Sequence, residues 1–297
     1  PLTVSKAINE ENDAVKKLIN VCDILKGSFI ITENIKLRFY LMKNEIVPLE
    51  LIKDINEIKN YECKDVNIDM DISNEEIAYI QFSSGSTSMP KGVLISHKNL
   101  LSNIYQIIQA LKLDENHVFG SWITLTHNLG LIGFHLLPMA CKCSQVLMST
   151  MLFMKDPAFY IKMLSEYKVV MTSMPNFAVN WVNEKVVESE IKGLDLSNLK
   201  IIINGAEPIS LDVVEKFNNK FKNFGLDSNS MNACYGMSEG SVAVSISERE
   251  SGVKVFQIDI SKNKVNNNEK KYNQAVGEGR IMPGMIAKIV DNNYKVV

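Results

Sequence analysis

The chain has no apolar run near the roughly 20 residues that a membrane-spanning helix requires, so no membrane insertion is expected. Its opening, PLTVSKAINEENDA, lacks the basic flank and apolar stretch of a secretory leader. Charge of one sign is missing too: 32 Lys and Arg against 34 Asp and Glu leave −2, which excludes the basic footprint of a nucleic-acid partner. The five cysteines, Cys22, Cys63, Cys141, Cys143 and Cys234, are odd in number and too scattered for a disulfide framework. Cys141 and Cys143 form a C-x-C that runs straight into SQVLMS without a second ligand pair, and read as buried thiols beside a strand. No internal repeat is visible. What remains is a chain of 297 residues with 46% hydrophobic and 22% charged residues, enough for a large core in a cytoplasmic, globular protein.

Two kinds of pattern alternate along it. The stretch 57–76, EIKNYECKDVNIDMDISNEE, is polar and acidic and reads as a connection. From Ile77 onward, β-rich runs (IAYIQF, SQVLM, VVMTSM, IIING, NACYG) are interleaved with helical spacing. Leu100, Ile104, Ile107, Ile108 and Leu111 mark a helix over 96–111, with Ser96 as its cap. Asp156 and Pro157 open another, DPAFYIKMLSEY. Val214, Phe217, Phe221 and Phe224 share one face of a helix expected over 211–224, between Ser210 and Gly225. Strands alternating with helices predict an α/β fold with mainly parallel sheets flanked by helices. Ligands of such sheets bind beyond the carboxyl ends of the strands, which directs attention to the loops after IAYIQF, IIING and NACYG.

The first of those loops, SSGSTSMPKG, holds the hydroxyls of Ser83, Ser84, Ser86, Thr87 and Ser88 around Gly85, with Pro90 and Lys91 behind. Small donors, a glycine that lets backbone N–H groups approach a bulky anion, and one cation on a flexible stem suit a polyphosphate. The Gly-Lys-Ser/Thr of a Walker A loop is absent, and composition alone would equally allow a polar surface loop.

The order of residues goes further than their composition. SSGSTSMPKGV followed by SHKNL resembles the phosphate-binding signature of the adenylate-forming enzymes, which activate a carboxylate with ATP. Two more of that family's strings follow in order. NGAEP (Asn204, Gly205, Ala206, Glu207, Pro208) is similar to the wall of its adenine pocket. CYGMSEG is similar to its aromatic-Gly-x-Thr/Ser-Glu core. The resemblance implies that Tyr235 stacks on adenine, that Gly236, Met237 and Ser238 border the nucleotide with Ser238 near the α-phosphate, and that Glu239 holds Mg²⁺. An aromatic face suits a purine, and a carboxylate suits a hard cation on phosphate oxygens.

Within the superfamily, WITLTHNLGLIG and PNFA look most like the fatty acyl-AMP ligases. His127 would stand beside the reacting carboxylate after a short leucine-containing strand, and Gly130, Pro175, Asn176 and Phe177 would line the acyl site. The segment 251–276 resembles that branch's inserted connection. Three residues depart from the branch pattern: Asn128 where Asp is usual, Ser238 where Ala is frequent, and Met174 where Gly is common. The last would add bulk where an acyl chain runs.

By resemblance, the whole of 1–297 corresponds to a single partial large N-terminal domain, opening on Pro1 and closing in DNNYKVV before the family's ribose-binding aspartate and its mobile C-terminal lid with the catalytic lysine. By itself such a piece is expected to be nearly inactive. The implied activity is joining a fatty acid to AMP at the expense of ATP, with catalytic roles for Lys91, His127 and Glu239, ATP and Mg²⁺ as cofactors, and transfer to the phosphopantetheine arm of an acyl carrier protein in lipopeptide or polyketide assembly. An acyl-CoA synthetase shares every nucleotide motif, and a non-catalytic acyl- or partner-binding module of the same fold is the alternative from another class.

Overall fold

The computed structural model describes residues 13–60, 71–83, 90–259 and 272–296. The chain divides into two compact units, Pro1–His97 and Lys98–Val297. In the first, α1 (Asp13–Ile24) is followed by β1 (Ile30–Thr32), α2 (Ile35–Lys43), β2 (Ile52–Asp54) and α3 (Ile55–Lys59). Asn34 starts α2 by accepting the Leu37 N–H at 3.1 Å. Leu18, Leu37, Leu41, Val47 and Ile52 form the local core. The polar connection expected at 57–76 begins inside α3, and its residues 61–70 lie outside the described ones. Beyond it, β3 (Ile77–Ser83) pairs antiparallel with β4 (Lys91–Ser96) from Ile77↔Ser96 to Ser83↔Lys91. Residues 84–89, and with them the predicted contacts of Ser84, Gly85, Ser86 and Thr87, lie outside the described residues.

All but the first residue of α4 (His97–Leu111) belongs to the second unit; Ile104, Ile107 and Leu111 are buried and Leu100 and Ile108 half-buried, as their spacing predicts. β5 (Val118–Ser121) leads through a π-helix (Leu129–Leu136) and the short α5 (Leu137–Ala140) to β6 (Ser144–Leu147). The chain continues with α6 (Thr150–Lys155), α7 (Pro157–Glu166), β7 (Met171–Ser173), α8 (Asn176–Lys185), β8 (Ile201–Gly205), α9 (Leu211–Phe221) and β9 (Met231–Tyr235). After them come β10 (Ser245–Ile246), an antiparallel hairpin of β11 (Val255–Asp259) and β12 (Tyr272–Val276), and β13 (Arg280–Ile281). One seven-stranded sheet runs β13-β10-β9-β8-β7-β5-β6, parallel from β9 to β6 and antiparallel at β10 and β13. This is the α/β fold with a mostly parallel sheet flanked by helices. The inserted connection proposed for 251–276 holds the β11–β12 hairpin, its tip outside the described residues.

Some expectations need adjustment. The helix expected over 211–224 keeps its α form only to Phe221; a 3₁₀ turn, Lys222–Phe224, tightens its end, and Gly225 closes it at φ +83°. The strand before His127 is β5, which ends at Ser121 and contains no leucine; Thr124 then turns the chain, its Oγ1 accepting the Thr126 N–H at 3.3 Å and its carbonyl the His127 N–H at 3.1 Å. Cys143 is buried beside β6 with its thiol 3.0 Å from the Asp114 carbonyl, whereas Cys141 is half-buried. Tyr160, Phe217, Phe221 and Ile202 are among the wholly buried residues of the core between sheet and helices. Among the described residues, no helix is long and apolar enough to cross a membrane.

Candidate active site

Trp122 begins the site. Its indole stacks on Phe153 with ring centroids 4.0 Å apart and its Nε1–H donates to the Ser173 carbonyl at 3.1 Å, so the end of β7 and the loop after β5 are held together. Thr150 adds a bond from its hydroxyl to the Trp122 carbonyl at 2.7 Å. Phe177, at the first turn of α8, meets the Trp122 ring edge-on at 5.9 Å. The hollow between these groups, about 310 Å³, is mostly apolar, and its wall also includes His127, Leu129, Pro175, Ala206 and Glu207. It lies beyond the carboxyl ends of β5, β7 and β8, where a parallel sheet presents its ligands.

Glu207 crosses from one loop to the other. Its carboxylate accepts the Phe177 N–H at 2.6 Å, satisfying an otherwise orphan donor at the N-terminus of α8, where the helix dipole favours negative charge. In the reverse direction, Asn176 accepts the Ser210 N–H at 2.9 Å. Two segments that the sequence nominates separately, NGAEP and PNFA, are therefore stitched together. Gly205 lies where β8 passes β9 so closely that a Cβ would overlap the Cys234 carbonyl oxygen. Burial pushes the neighbouring Cys234 thiol up to about 12, with the nearby Glu278 carboxylate adding to the effect, so this thiol is no nucleophile.

His127 sits at the rim of the hollow. Its Nδ1 accepts the Leu129 N–H at 3.1 Å, which leaves Nε2 as the protonated nitrogen. The residue is exposed, yet its surroundings desolvate the ring enough to lower its pKa below the ordinary value, which favours neutral imidazole.

At the end of β9 the chain presents Tyr235, 49% exposed, and Met237, 42% exposed, with the Tyr235 hydroxyl 3.9 Å from the Met237 sulfur. A 3₁₀ turn, Ser238–Gly240, then carries the exposed carboxylate of Glu239. Asn103, almost wholly buried on α4, anchors the stretch after that turn: its Oδ1 accepts the N–H groups of Val242 and Ala243, and its amide donates to the Ala243 carbonyl at 2.9 Å. Among the described residues, no three His, Cys, Asp or Glu gather to hold a metal. A cation on Glu239 would draw its other ligands from phosphate oxygens or water, which suits an exposed hard carboxylate.

A family model described as AMP-binding enzyme matches residues 28–297. The chain belongs to this family. In sequence it is 34% identical over 185 residues to the medium-chain-fatty-acid acyl-carrier-protein ligase TtuA of Teredinibacter turnerae, an alignment covering 62% of this chain and 29% of that one. In structure it superposes with a TM-score of 0.90 and 27% identity on a chain from a study of fatty acyl-adenylate ligases of E. coli and L. pneumophila, covering 100% of this chain and 55% of that one. A fatty acyl-adenylate ligase of L. pneumophila in complex with acyl adenylate and pyrophosphate gives a TM-score of 0.76 at 25% identity, covering 94% of this chain and 49% of the other. The match thus takes in about a third of the curated relative's length and about half of each solved chain.

Of the residues nominated from sequence, His127, Pro175, Phe177, Ala206 and Glu207 share the hollow. Gly130 packs behind it, where a Cβ would overlap the Thr124 carbonyl oxygen. Met174 is wholly buried in the core and is not part of the wall of this hollow. Asn204 is wholly buried, and neither of its side-chain polar atoms finds a partner among the described residues. Ser83 and Lys91 belong to the other unit, Ser83 ending β3 and Lys91 opening β4. A larger hollow of about 800 Å³ in that unit, walled by Leu18, Phe29, Ile31 and Phe82 among others, includes none of the nominated residues. Asn103, Trp122 and Thr150 were not nominated from sequence. Asn103 was detectable as a polar residue next to the apolar stripe of α4, whereas Thr150 carries no local signal.

Proposed function

We propose that the protein of which this chain forms the nucleotide- and acyl-binding part activates a fatty acid with ATP and passes the acyl group to the phosphopantetheine thiol of an acyl carrier protein. The observation that carries this reading is the apolar hollow with His127 at its rim and the NGAEP loop in its wall, because an apolar chain and a nucleotide must meet at one point for adenylation. The fatty-acid ligase names of its relatives support it.

In the first step a carboxylate oxygen attacks the α-phosphorus of ATP, the bond to the bridging oxygen breaks, and pyrophosphate leaves. The carboxylate is already a nucleophile at neutral pH, so the protein supplies position and charge compensation. The acyl chain would lie against Trp122, Pro175 and Phe177, while neutral His127 directs its Nε2–H at a carboxylate oxygen. Tyr235 would stack on adenine, with Asn204, Gly205, Ala206 and Glu207 bordering it. Lys91 and the hydroxyls from Ser83 to Thr87 would hold the departing phosphates. Mg²⁺, held by Glu239, would supply charge neutralisation on the phosphates. In the second step the carrier thiolate attacks the acyl carbonyl and AMP leaves.

Fatty-acid-dependent exchange of labelled pyrophosphate into ATP, measured on the longest reading frame containing this chain, tests the first step. Exchange with fatty acids of some length is expected, and none with any carboxylate would overturn the reading. Efficient acyl transfer to coenzyme A, with none to a carrier protein, would reassign the acceptor.

A further inference from the structure

Two of the departures from the branch pattern meet in space. The Asn128 amide nitrogen donates to Ser238 Oγ at 3.0 Å and to the Ser241 carbonyl at 3.0 Å, joining the loop after β5 to the turn after β9 across more than a hundred residues. Neither bond would survive Asp at 128 and Ala at 238: a carboxylate has no proton for the Ser241 carbonyl, and alanine has no hydroxyl. Asn128 is 8% exposed, and its Oδ1 is buried without a partner among the described residues. Leaving such an oxygen unpaired is unfavourable, so the orientation is held by the two bonds on the nitrogen side. Ser241 itself sits at φ +67°, a conformation rare for a side-chain-bearing residue, and is 5% exposed. Its carbonyl accepts only, so it dictates which end of the Asn128 amide faces the turn.

The consequence falls on Ser238. With one lone pair of Oγ occupied by the Asn128 N–H, the hydroxyl keeps its own proton for donation elsewhere. Its backbone carbonyl accepts the Ser241 N–H at 3.0 Å, so the turn is closed beneath it and Glu239 follows on the exposed side.

We propose that Asn128 is a positioning residue: it fixes Ser238 as a hydrogen-bond donor to the α-phosphate of the bound nucleotide. The proposal rests on the nucleotide site described above. It assigns Asn128 no contact with substrate; the residue acts through Ser238.

A double-mutant cycle on the 297-residue chain tests it, reading affinities for AMP and for adenosine by calorimetry. Ser238→Ala and Asn128→Ala should each weaken AMP about three- to tenfold, the size of one hydrogen bond, and leave adenosine unchanged. In the Ser238→Ala background, Asn128→Ala should cost nothing further. Equal losses in both backgrounds, or equal losses for adenosine and AMP, would overturn the proposal and leave Asn128 a structural residue. If Asn128→Ala lowers Tm enough to unfold the chain, the isosteric Asn128→Asp enters the same cycle. Its cost should be smaller with Ser238→Ala than with Ser238 present, and an undiminished cost would again overturn the proposal. The cycle reads nucleotide affinity and not turnover. A clear coupling alongside absent pyrophosphate exchange would retain Asn128's role while rejecting fatty-acid activation; exchange without coupling would do the reverse.

Discussion

Strands β8 and β9 are parallel neighbours ending at the same edge of the sheet, yet the loops that leave them are built differently. After β8 the loop is tied to α8 by side-chain oxygens: Glu207 accepts the Phe177 N–H, and Asn176 of α8 accepts the Ser210 N–H. After β9 the fixing is done by Asn103 and Asn128 on neighbouring elements, while Ser241 and Val242 are buried and the first part of the loop faces outward. Tyr235, Met237 and Glu239 are all exposed. A wall that must keep its shape is cross-linked through its own side chains. A surface that must offer an aromatic face and a carboxylate keeps those groups unburied and borrows its rigidity from neighbouring elements.

The largest effect is expected where the two strands touch. Gly205→Ala forces a methyl group into the Cys234 carbonyl, which must move together with the ladder from Ile202↔Met231 to Gly205↔Cys234. Overpacking of this kind costs about 1–3 kcal/mol, and the obstacle here is backbone, so the upper end is expected. Thermal unfolding should show Tm lower by about 5–10 °C. An unchanged Tm would mean that the strands are not packed as described, and the contrast between their loops would lose its basis.

Next comes the wall. Glu207→Ala leaves the Phe177 N–H at the start of α8 without its carboxylate, a loss of about 1 kcal/mol by analogy with a helix cap. Glu207→Gln, which keeps an acceptor but loses the charge, should cost less. Denaturant unfolding gives both values, and amide hydrogen exchange at Phe177 should quicken in Glu207→Ala. If Glu207→Ala proves neutral while exchange at Phe177 is unaltered, the two loops are not joined through this carboxylate.

Much of this arrangement was legible beforehand, for reasons that differ from part to part. IIING was readable as β8 because a run of β-branched residues ends at a glycine and a turn. α4 and α9 were readable because their apolar residues recur on one face. β5 was missed because VFGS offers only four residues and no alternation, and β4 because Lys91 and Gly92 disguise its start. The π-helix at Leu129–Leu136 carries His135 as its one polar residue among apolar residues and glycines, so no period betrays it. Local strings could nominate Glu207 and Phe177 but could not pair them, since the bond between them spans thirty residues and depends on where β7 and β8 end. The same holds for Asn128 and Ser238, which read as two unrelated departures until the fold brings them to 3.0 Å.

Tyr235 tests the outward-facing half. With half its surface exposed and only a weak contact to Met237, Tyr235→Ala should change unfolding by no more than a few tenths of a kcal/mol. Binding of adenosine and AMP should weaken together by about 0.5–1.5 kcal/mol, the worth of an aromatic contact. Calorimetry against both ligands separates the outcomes. A large fall in stability with unchanged binding would make Tyr235 part of the wall, and the distinction between the two loops would vanish.

The smallest effect concerns pH, at the one nominated residue whose charge changes near neutrality. Desolvation lowers the folded pKa of His127 below its ordinary 6.5, while the unfolded chain keeps the ordinary value. Just below pH 6.5 the unfolded chain therefore binds a proton that the folded chain declines. The contribution is full above that pH and is lost as pH falls through it towards the folded pKa. Because the residue is exposed, only a shallow slope is expected. His117, whose pKa burial also lowers against the opposing pull of Asp114, contributes with the same sign, so the quantity to measure is the difference between wild type and His127→Gln. Denaturant unfolding at pH 5.5, 6.5 and 7.5 (about one unit either side of the ordinary histidine value) should show the variant losing less stability in acid. A variant as steep as the wild type, or steeper, would mean that the imidazole at the rim of the hollow is as well solvated as in the unfolded chain. Its neutral Nε2–H would then have no preference to maintain beside a carboxylate.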